Sequence, residues 1–202
     1  METATYKPTA DDVKRLREQT GAGMIDCRNA LVQTSGDFEA ATTTLQELGQ
    51  SKAAKKAERS ANEGLVGTYI HAGGKIGVLI EINCETDFVA RNVRFNELVR
   101  DVAMHVAAMN PQYLDRESVP EAVIAAAKAE LAESVPPNKP PAVVEKIVEG
   151  KLNKWYEEHC LLDQAFIKDD SQTIGELVNV VSSVLGEKMR VRRFSRFALG
   201  EG

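Results

Sequence analysis

The chain has 202 residues, of which 43% are hydrophobic and 27% are charged, and its net charge at pH 7 is −5. This length allows one or two globular domains, and this composition excludes an intrinsically disordered chain. General nucleic-acid binding needs clustered positive charge, so the acidic balance argues against that class. No apolar run approaches the roughly 18 residues of a membrane span, and the N-terminus lacks a signal-peptide pattern.

Three cysteines, Cys27, Cys84 and Cys160, lie far apart and form no C-x-x-C pair. This spacing excludes a zinc knuckle and a thioredoxin-like dithiol. We therefore expect reduced thiols in a cytoplasmic protein, with no cofactor, no metal site and no contact with a membrane.

Three short helices are predicted within residues 1–50. Thr9 is placed to cap the first helix, and the glycine-containing segment 20–23 ends it. Asp37 is placed to cap the third, and the second helix has at helical spacing Ile25, Cys27, Ala30 and Leu31. The loop sequence resembles a ubiquitin-associated-like (UBA-like) module, in which a glycine loop between the first two helices is presented to a partner. The alternative is a bundle that packs only on its own chain.

The segment 51–61 is rich in alanine and in basic residues, namely Lys52, Lys55, Lys56 and Arg59. Its composition predicts a linker helix with a charged surface. No aromatic residues that could stack on bases are interleaved with the basic ones, so a solvated linker is favoured over a nucleic-acid patch.

Residues 62–202 are predicted to form an α+β core, an antiparallel sheet with flanking helices. Two apolar runs flank the segment 71–75, whose Gly73 and Gly74 are typical of a β-hairpin turn. His71 begins that turn, and no acid or second histidine is placed beside it by spacing. An ordinary turn residue is therefore favoured over a ligand or a general base.

The second strand of this hairpin leads into the stretch 81–92, where a helix begins. Thr86 or Asp87 is placed to cap that helix. Phe88 follows them, but its neighbours one turn later are polar, so the ring lacks an apolar partner on its own helix. Phe88 therefore either folds back onto the hairpin or points outward to meet another protein.

A helical hairpin is predicted at about residues 119–159, because four prolines interrupt two helical segments at 136–141. A strand is predicted for 160–167, a helix for 174–185 and a final strand for 189–199.

The final strand is both apolar and basic. Alternation with period two would place Val191, Phe197 and Leu199 on one face, and on the other face Arg190, Arg192 and Arg196. Arg193 breaks that alternation, which predicts a bulge or an exposed edge. The strand could meet RNA, but an edge strand protected from aggregation is favoured.

Two stretches resemble the signatures of the elongation factor Ts family. They are Leu16-Arg17-x-x-Thr20-Gly21-Ala22-Gly23-Met24-x-Asp26-Cys27 and Glu81-Ile82-Asn83-Cys84-Glu85-Thr86-Asp87-Phe88-Val89-Ala90-Arg91. The resemblance covers almost the whole chain, including the stretch 161–166. Arg28 stands where family members often carry lysine, which keeps the charge but changes the geometry of any contact. With a single core motif the chain resembles the short form, whose members pair as homodimers.

The resemblance implies a guanine-nucleotide exchange factor for elongation factor Tu, which it would bind in GDP-bound and nucleotide-free forms during translation elongation. It implies displacement of Mg²⁺ from that partner by Thr86, Asp87, Phe88 and Val89. It implies a second contact through the N-terminal module, around Leu16, Arg17, Thr20, Gly21 and Met24. The residues themselves assemble no nucleophile–base pair, metal cluster or phosphate loop, so no enzymatic reaction and no direct binding of nucleic acid are expected.

Two alternatives of other classes stay open. One is a UBA-type adaptor with an unrelated α+β dimerisation domain. The other is an RNA-binding ribosome accessory that uses the basic segments 52–59 and 190–196.

Overall fold

The computed structural model describes residues 6–20, 22–57, 59–136 and 139–201, without the side chains of residues 46 and 49–57. The chain divides into two compact units, Met1–Arg59 and Ser60–Gly202. The first is helical and the second combines helices with antiparallel sheets, which confirms the predicted α+β class. Within the described residues, no helix is both long enough and apolar enough to cross a membrane.

The described part of the first unit contains three helices: α1 (Ala10–Thr20), α2 (Met24–Gln33) and α3 (Phe38–Ala57). Thr9 caps α1 as predicted, since its Oγ1 accepts a hydrogen bond from the Asp12 backbone N–H at 3.1 Å. The Asp12 carboxylate in turn accepts one from the Thr9 backbone N–H at 3.1 Å. The helices enclose a small core of Val13, Leu16, Cys27, Ala30, Leu31, Ala41 and Leu45.

Two details of this unit differ from expectation. The segment expected as a separate linker helix continues α3 as far as Ala57, and the side chains of Lys52, Lys55 and Lys56 lie outside the described residues. Ile25, expected among the apolar contacts of α2, is 76% exposed. Ile25 precedes the buried Cys27 by two residues, so it lies about 200° around the helix on the opposite face.

The second unit is built on a three-stranded antiparallel sheet of β1 (Glu63–Ile70), β2 (Ile76–Cys84) and β5 (Arg190–Ala198), in the order β1-β2-β5. One face packs on α5 (Val93–Met109) and buries Val78, Ile80, Ile82 and Cys84 against Phe95, Leu98, Val99, Val102 and Val106. The helix approaches the sheet so closely that a Cβ on Gly67 would lie 2.2 Å from Val99 Cγ1.

The final strand contains a bulge that changes which face each side chain occupies. Its pairing with β2 shifts register so that Arg192 has no partner of its own. One extra residue reverses the alternation beyond it. Phe197 and Leu199 are therefore exposed while Val191 is buried, and the expectation that these three share a face is wrong. β5 lies at the edge of the described sheet, as favoured above.

The remaining elements are α4 (Asp87–Ala90), α6 (Glu121–Glu133), α7 (Pro141–His159), β3 (Ala165–Phe166), β4 (Asp169–Thr173) and α8 (Ile174–Leu185). Helices α6 and α7 pack against each other. The strand predicted for 160–167 is wrong for its first part, which forms a 3₁₀ turn at Leu161–Asp163. That turn forms because the backbone N–H groups of Asp163 and Gln164 donate to carbonyls three residues earlier.

A buried histidine connects α5 to the segment that follows α7. His105 Nε2 lies 2.9 Å from Gln164 Oε1, and His105 Nδ1 accepts a hydrogen bond from the Ile167 backbone N–H at 3.3 Å. An accepting Nδ1 requires the neutral ring, with Nε2–H donating to the amide oxygen. Burial lowers the pKa of His105 below its usual range, against an opposing effect of the Gln164 hydrogen bond.

Candidate functional site

The strand-to-helix joint, residues 84–92, connects β2 to α5 through the single turn of α4. Thr86 caps α4, its Oγ1 accepting from the Val89 backbone N–H at 3.4 Å. Asn92 caps α5, its Oδ1 accepting from the Arg94 backbone N–H at 2.9 Å. Two caps in close succession define the backbone on both sides of Phe88.

The Phe88 ring points into solvent from this joint. Its side chain is 80% exposed, whereas Val89 packs on the core and Ala90 is buried. Of the two orientations that the sequence left open, the structure shows the outward one. A large exposed aromatic beside anchored neighbours is available for contact with another protein.

Asp87 lies beside Phe88 at the start of α4. Its carboxylate is about half exposed and lies 3.0 Å from Arg91 Nη2, four residues later on the same turn. An exposed pair of this kind contributes roughly 0–1 kcal/mol to stability, so the Asp87 carboxylate can leave Arg91 for a stronger partner at little cost. Because Thr86 is the cap, the start of the helix does not depend on Asp87.

The joint is held to the loop between α8 and β5. The Glu187 carboxylate accepts hydrogen bonds from the backbone N–H groups of Glu85 and Thr86, both at 3.1 Å, and from Thr86 Oγ1 at 2.6 Å. Sequence reasoning missed Glu187, and no local pattern marks it because it lies about a hundred residues from the joint.

Cys84, at the end of β2, supports the joint rather than reacting. Its Sγ donates to the Thr86 carbonyl at 3.1 Å. Burial, with a smaller contribution from the Glu187 charge, raises the pKa of the Cys84 thiol to about 11. A thiol with this pKa is protonated at neutral pH and is a poor nucleophile. Across the described ranges, no group of three or more His, Cys, Asp and Glu side chains could hold a metal ion.

The predicted contact residues of the N-terminal module fall into two groups. Arg17 and Met24 are exposed near the loop, whereas Leu16 is fully buried, so any part Leu16 plays in a contact is indirect. Thr20 stabilises the loop, its Oγ1 donating to the Leu16 carbonyl at 2.7 Å and accepting from the Ala22 N–H at 3.3 Å. Gly21 lies outside the described residues.

Ile25 is a second residue that sequence reasoning missed as a candidate for contact. It is more exposed than Met24, its neighbour at the start of α2. Its position directly after Met24 was a usable signal, since both follow the glycine-containing loop.

Much of the positive charge of β5 is compensated within the chain. Arg192 and Arg193 lie 3.0 and 2.7 Å from the Glu81 carboxylate, and chiefly the Arg193 hydrogen bond lowers the pKa of Glu81. Arg196 donates to the Ala107 carbonyl and pairs with Glu201 at 2.7 Å. These pairings favour an edge-protecting role over an RNA surface.

Comparisons with known proteins match almost the whole chain. The family model described as Elongation factor TS matches residues 8–201. Proteins named elongation factor Ts from Syntrophomonas wolfei, Geobacter sulfurreducens and Moorella thermoacetica are 53%, 52% and 54% identical to the chain. Each alignment covers 96% of this chain and at least 90% of the relative. The chain therefore belongs to the elongation factor Ts family.

Proposed function

We propose that the protein is a cytoplasmic guanine-nucleotide exchange factor for elongation factor Tu and acts in translation elongation. The observation that carries this proposal is the exposed Phe88 ring on a capped, anchored joint within the family signature. The partner would hold GDP and Mg²⁺. The factor would speed GDP release without making or breaking a covalent bond, so it is not an enzyme in that sense.

Phe88 supplies the wedge in this mechanism. Its ring inserts between helices of the partner's nucleotide-binding domain and loses its contact with water there, as interface hot spots do. The ring is already exposed in the free protein, so no apolar contact within the chain has to break first. Anchoring through Val89 and Ala90 lowers the entropy cost of placing it.

Asp87 acts on the ion. Leaving Arg91, its carboxylate approaches the water shell through which proteins commonly hold Mg²⁺ and disturbs the hydrogen bonds of that shell. Thr86 and Val89 keep Asp87 and Phe88 in place from either side. Loss of Mg²⁺ leaves the phosphates of GDP without charge neutralisation, and the nucleotide departs.

Thermodynamic linkage makes the exchange reciprocal. A factor that binds nucleotide-free partner more tightly than GDP-bound partner must weaken GDP by the same factor. The N-terminal module supplies a second contact and much of the affinity through the exposed Arg17, Met24 and Ile25. Thr20 and the buried Leu16 support the loop beneath that contact.

We also infer that the protein forms a homodimer through the outer face of its sheet. On that face Ile70, Gly77 and Phe197 pair across the three strands, which places two exposed apolar side chains on either side of a glycine. Val66, Leu79 and Leu199 are exposed as well. A sheet face this apolar favours burial against a second sheet, and two copies related by a two-fold axis would supply it.

Stopped-flow release of fluorescent GDP from elongation factor Tu tests the proposed function. The protein should accelerate release many-fold at micromolar concentration, and release at the spontaneous rate would refute the proposal. A pull-down from bacterial lysate separates the alternatives. Elongation factor Tu should dominate the captured material, whereas its absence would favour an adaptor, and salt-sensitive retention of RNA would favour a ribosome accessory.

A further inference from the structure

We propose that Glu187 is a positioning residue for exchange: its carboxylate holds the backbone directly before Asp87 and Phe88 in the orientation that the partner requires. This inference rests on the proposed exchange function. It adds a residue outside both family signatures, on a different element from the wedge.

The Glu187 carboxylate accepts three hydrogen bonds from two consecutive residues. Oε2 receives the backbone N–H groups of Glu85 and Thr86, and Oε1 receives the Thr86 hydroxyl. Hydrogen bonds to a charged acceptor are stronger than neutral ones. The backbone N–H groups of both residues between β2 and α4 are thus held before the helix that carries Phe88 begins.

The contact is reciprocal. The Glu85 carboxylate accepts a hydrogen bond from the backbone N–H of Lys188, so each loop binds the other through a carboxylate and a backbone donor. Ser182 Oγ donates to the Glu187 carbonyl at 2.6 Å, which ties the same residue to α8. Two short loops with no sequence proximity are therefore clasped to each other at the joint.

The geometry of the α8 end brings Glu187 to this position. Gly186 ends α8 in the left-handed conformation, with φ of 76°. A left-handed residue after a helix reverses the chain direction and is commonly glycine because other residues are strained there. The next residue, Glu187, consequently faces the joint instead of continuing the helix.

The hydrogen bonds between Glu187 and the joint can position Asp87 and Phe88, because they restrain the backbone immediately before them. Asp87 and Phe88 immediately follow Thr86, and α4 is a single turn with little rigidity of its own. Phe88 has most of its surface in solvent, so few contacts of its own orient it. Displacement of a reacting or inserting group by about 1 Å can cost on the order of a hundredfold in rate.

The first test compares Glu187→Ala with Glu176→Ala. Glu176 is the matched control because it lies on α8 and its carboxylate also accepts a backbone hydrogen bond, from Thr173. Glu187→Ala should lower the maximal stimulated rate of GDP release about tenfold, with less than a twofold change in half-saturating concentration. Glu187→Gln should recover most of the rate, because its amide oxygen can still accept from both backbone N–H groups, while its NH2 group can only donate to Thr86 Oγ1.

The matched control decides whether the effect is one of position. Glu176→Ala should leave the maximal rate within twofold of wild type. A Glu187→Ala rate equal to that of Glu176→Ala would overturn the proposal. Wild-type protein that fails to accelerate GDP release would instead refute the proposed function itself, so the two failures are distinguishable.

A double-mutant cycle tests whether Glu187 acts through the wedge. In a Phe88→Ala background, adding Glu187→Ala should lower the rate less than twofold further, because the group being positioned is already gone. A further tenfold loss would show that Glu187 acts independently and would overturn the proposal. Amide hydrogen exchange of the free protein gives a second readout. The backbone amides of Glu85 and Thr86 should exchange faster in Glu187→Ala than in wild type, and at the wild-type rate in Glu176→Ala.

Discussion

Replacement of Phe88 by alanine isolates the proposed wedge from the stability of the fold. The side chain is 80% exposed in the free protein, so its loss removes little packing. Exposed substitutions of this kind usually change the free energy of unfolding by less than about 0.5 kcal/mol. We therefore expect Phe88→Ala to melt within a degree or two of wild type, as followed by circular dichroism.

The expected effect on exchange follows from the surface that the ring can bury. Four-fifths of a phenylalanine side chain is roughly 150 Å², which at about 25 cal/mol per Å² corresponds to roughly 4 kcal/mol. Alanine keeps the Cβ, and only part of the buried area contributes to the free energy of binding. We therefore expect Phe88→Ala to lose about 2–3 kcal/mol of interaction free energy in the exchange transition state. Since about 1.4 kcal/mol is tenfold, stimulated release should slow by roughly 30- to 150-fold.

The assay is stopped-flow release of fluorescent GDP from elongation factor Tu over a range of factor concentrations. Val180→Ala is the control, because Val180 is also an exposed apolar residue but lies on α8 outside both proposed contacts. Val180→Ala should release GDP at the wild-type rate. A wild-type stimulated rate for Phe88→Ala, with the same melting temperature, would refute the wedge.

Three further predictions follow from other parts of the structure. Asp87→Ala should slow stimulated GDP release less than Phe88→Ala in the same assay, because Thr86 still caps α4. A large drop in melting temperature with normal exchange would show that Asp87 has a purely structural role. Phe197→Asp should convert the proposed homodimer to monomer in sedimentation velocity, because a dimer formed through the outer sheet face would bury the new charge; an unchanged dimer would exclude that interface. Burial lowers the pKa of His105 in the folded protein. Below about pH 6.5, the His105 side chain is therefore protonated more readily in the unfolded chain than in the folded one. Urea unfolding should therefore show stability lost as pH falls from 7 to 5, and His105→Gln should flatten that dependence.

Local signals along the chain were sufficient for most of the elements. The caps at Thr9 and Asp37 were predictable because an N-cap depends only on the few residues after it. The β-hairpin followed from two apolar runs around a glycine turn, which is also local. The stretch 81–92 was recognisable as a candidate contact site for the same reason, since all its signature residues are contiguous.

Errors arose where one residue changed the phase of a repeating pattern. The extra residue at Arg192 reverses the alternation of β5, so Phe197 lies on the exposed face of the sheet although Val191 lies on the buried one. Nothing in the local sequence shows which residue of a strand goes unpaired, because that is decided by hydrogen bonding to β2.

The 3₁₀ turn at 161–163 was missed because short apolar segments suit a strand and a tight turn equally.

The sequence by itself determined the α+β class, the order of most helices and strands, and the contiguous motif that carries Phe88, because each depends on residues within a turn or a hairpin of one another. Only the tertiary structure decided that the Phe88 ring points outward, that Leu16 is buried, and that Glu187 clasps the joint. These outcomes depend on which surfaces pack together and on hydrogen bonds between residues about a hundred positions apart. Such pairings follow from the packing of whole elements and leave no local pattern in the chain.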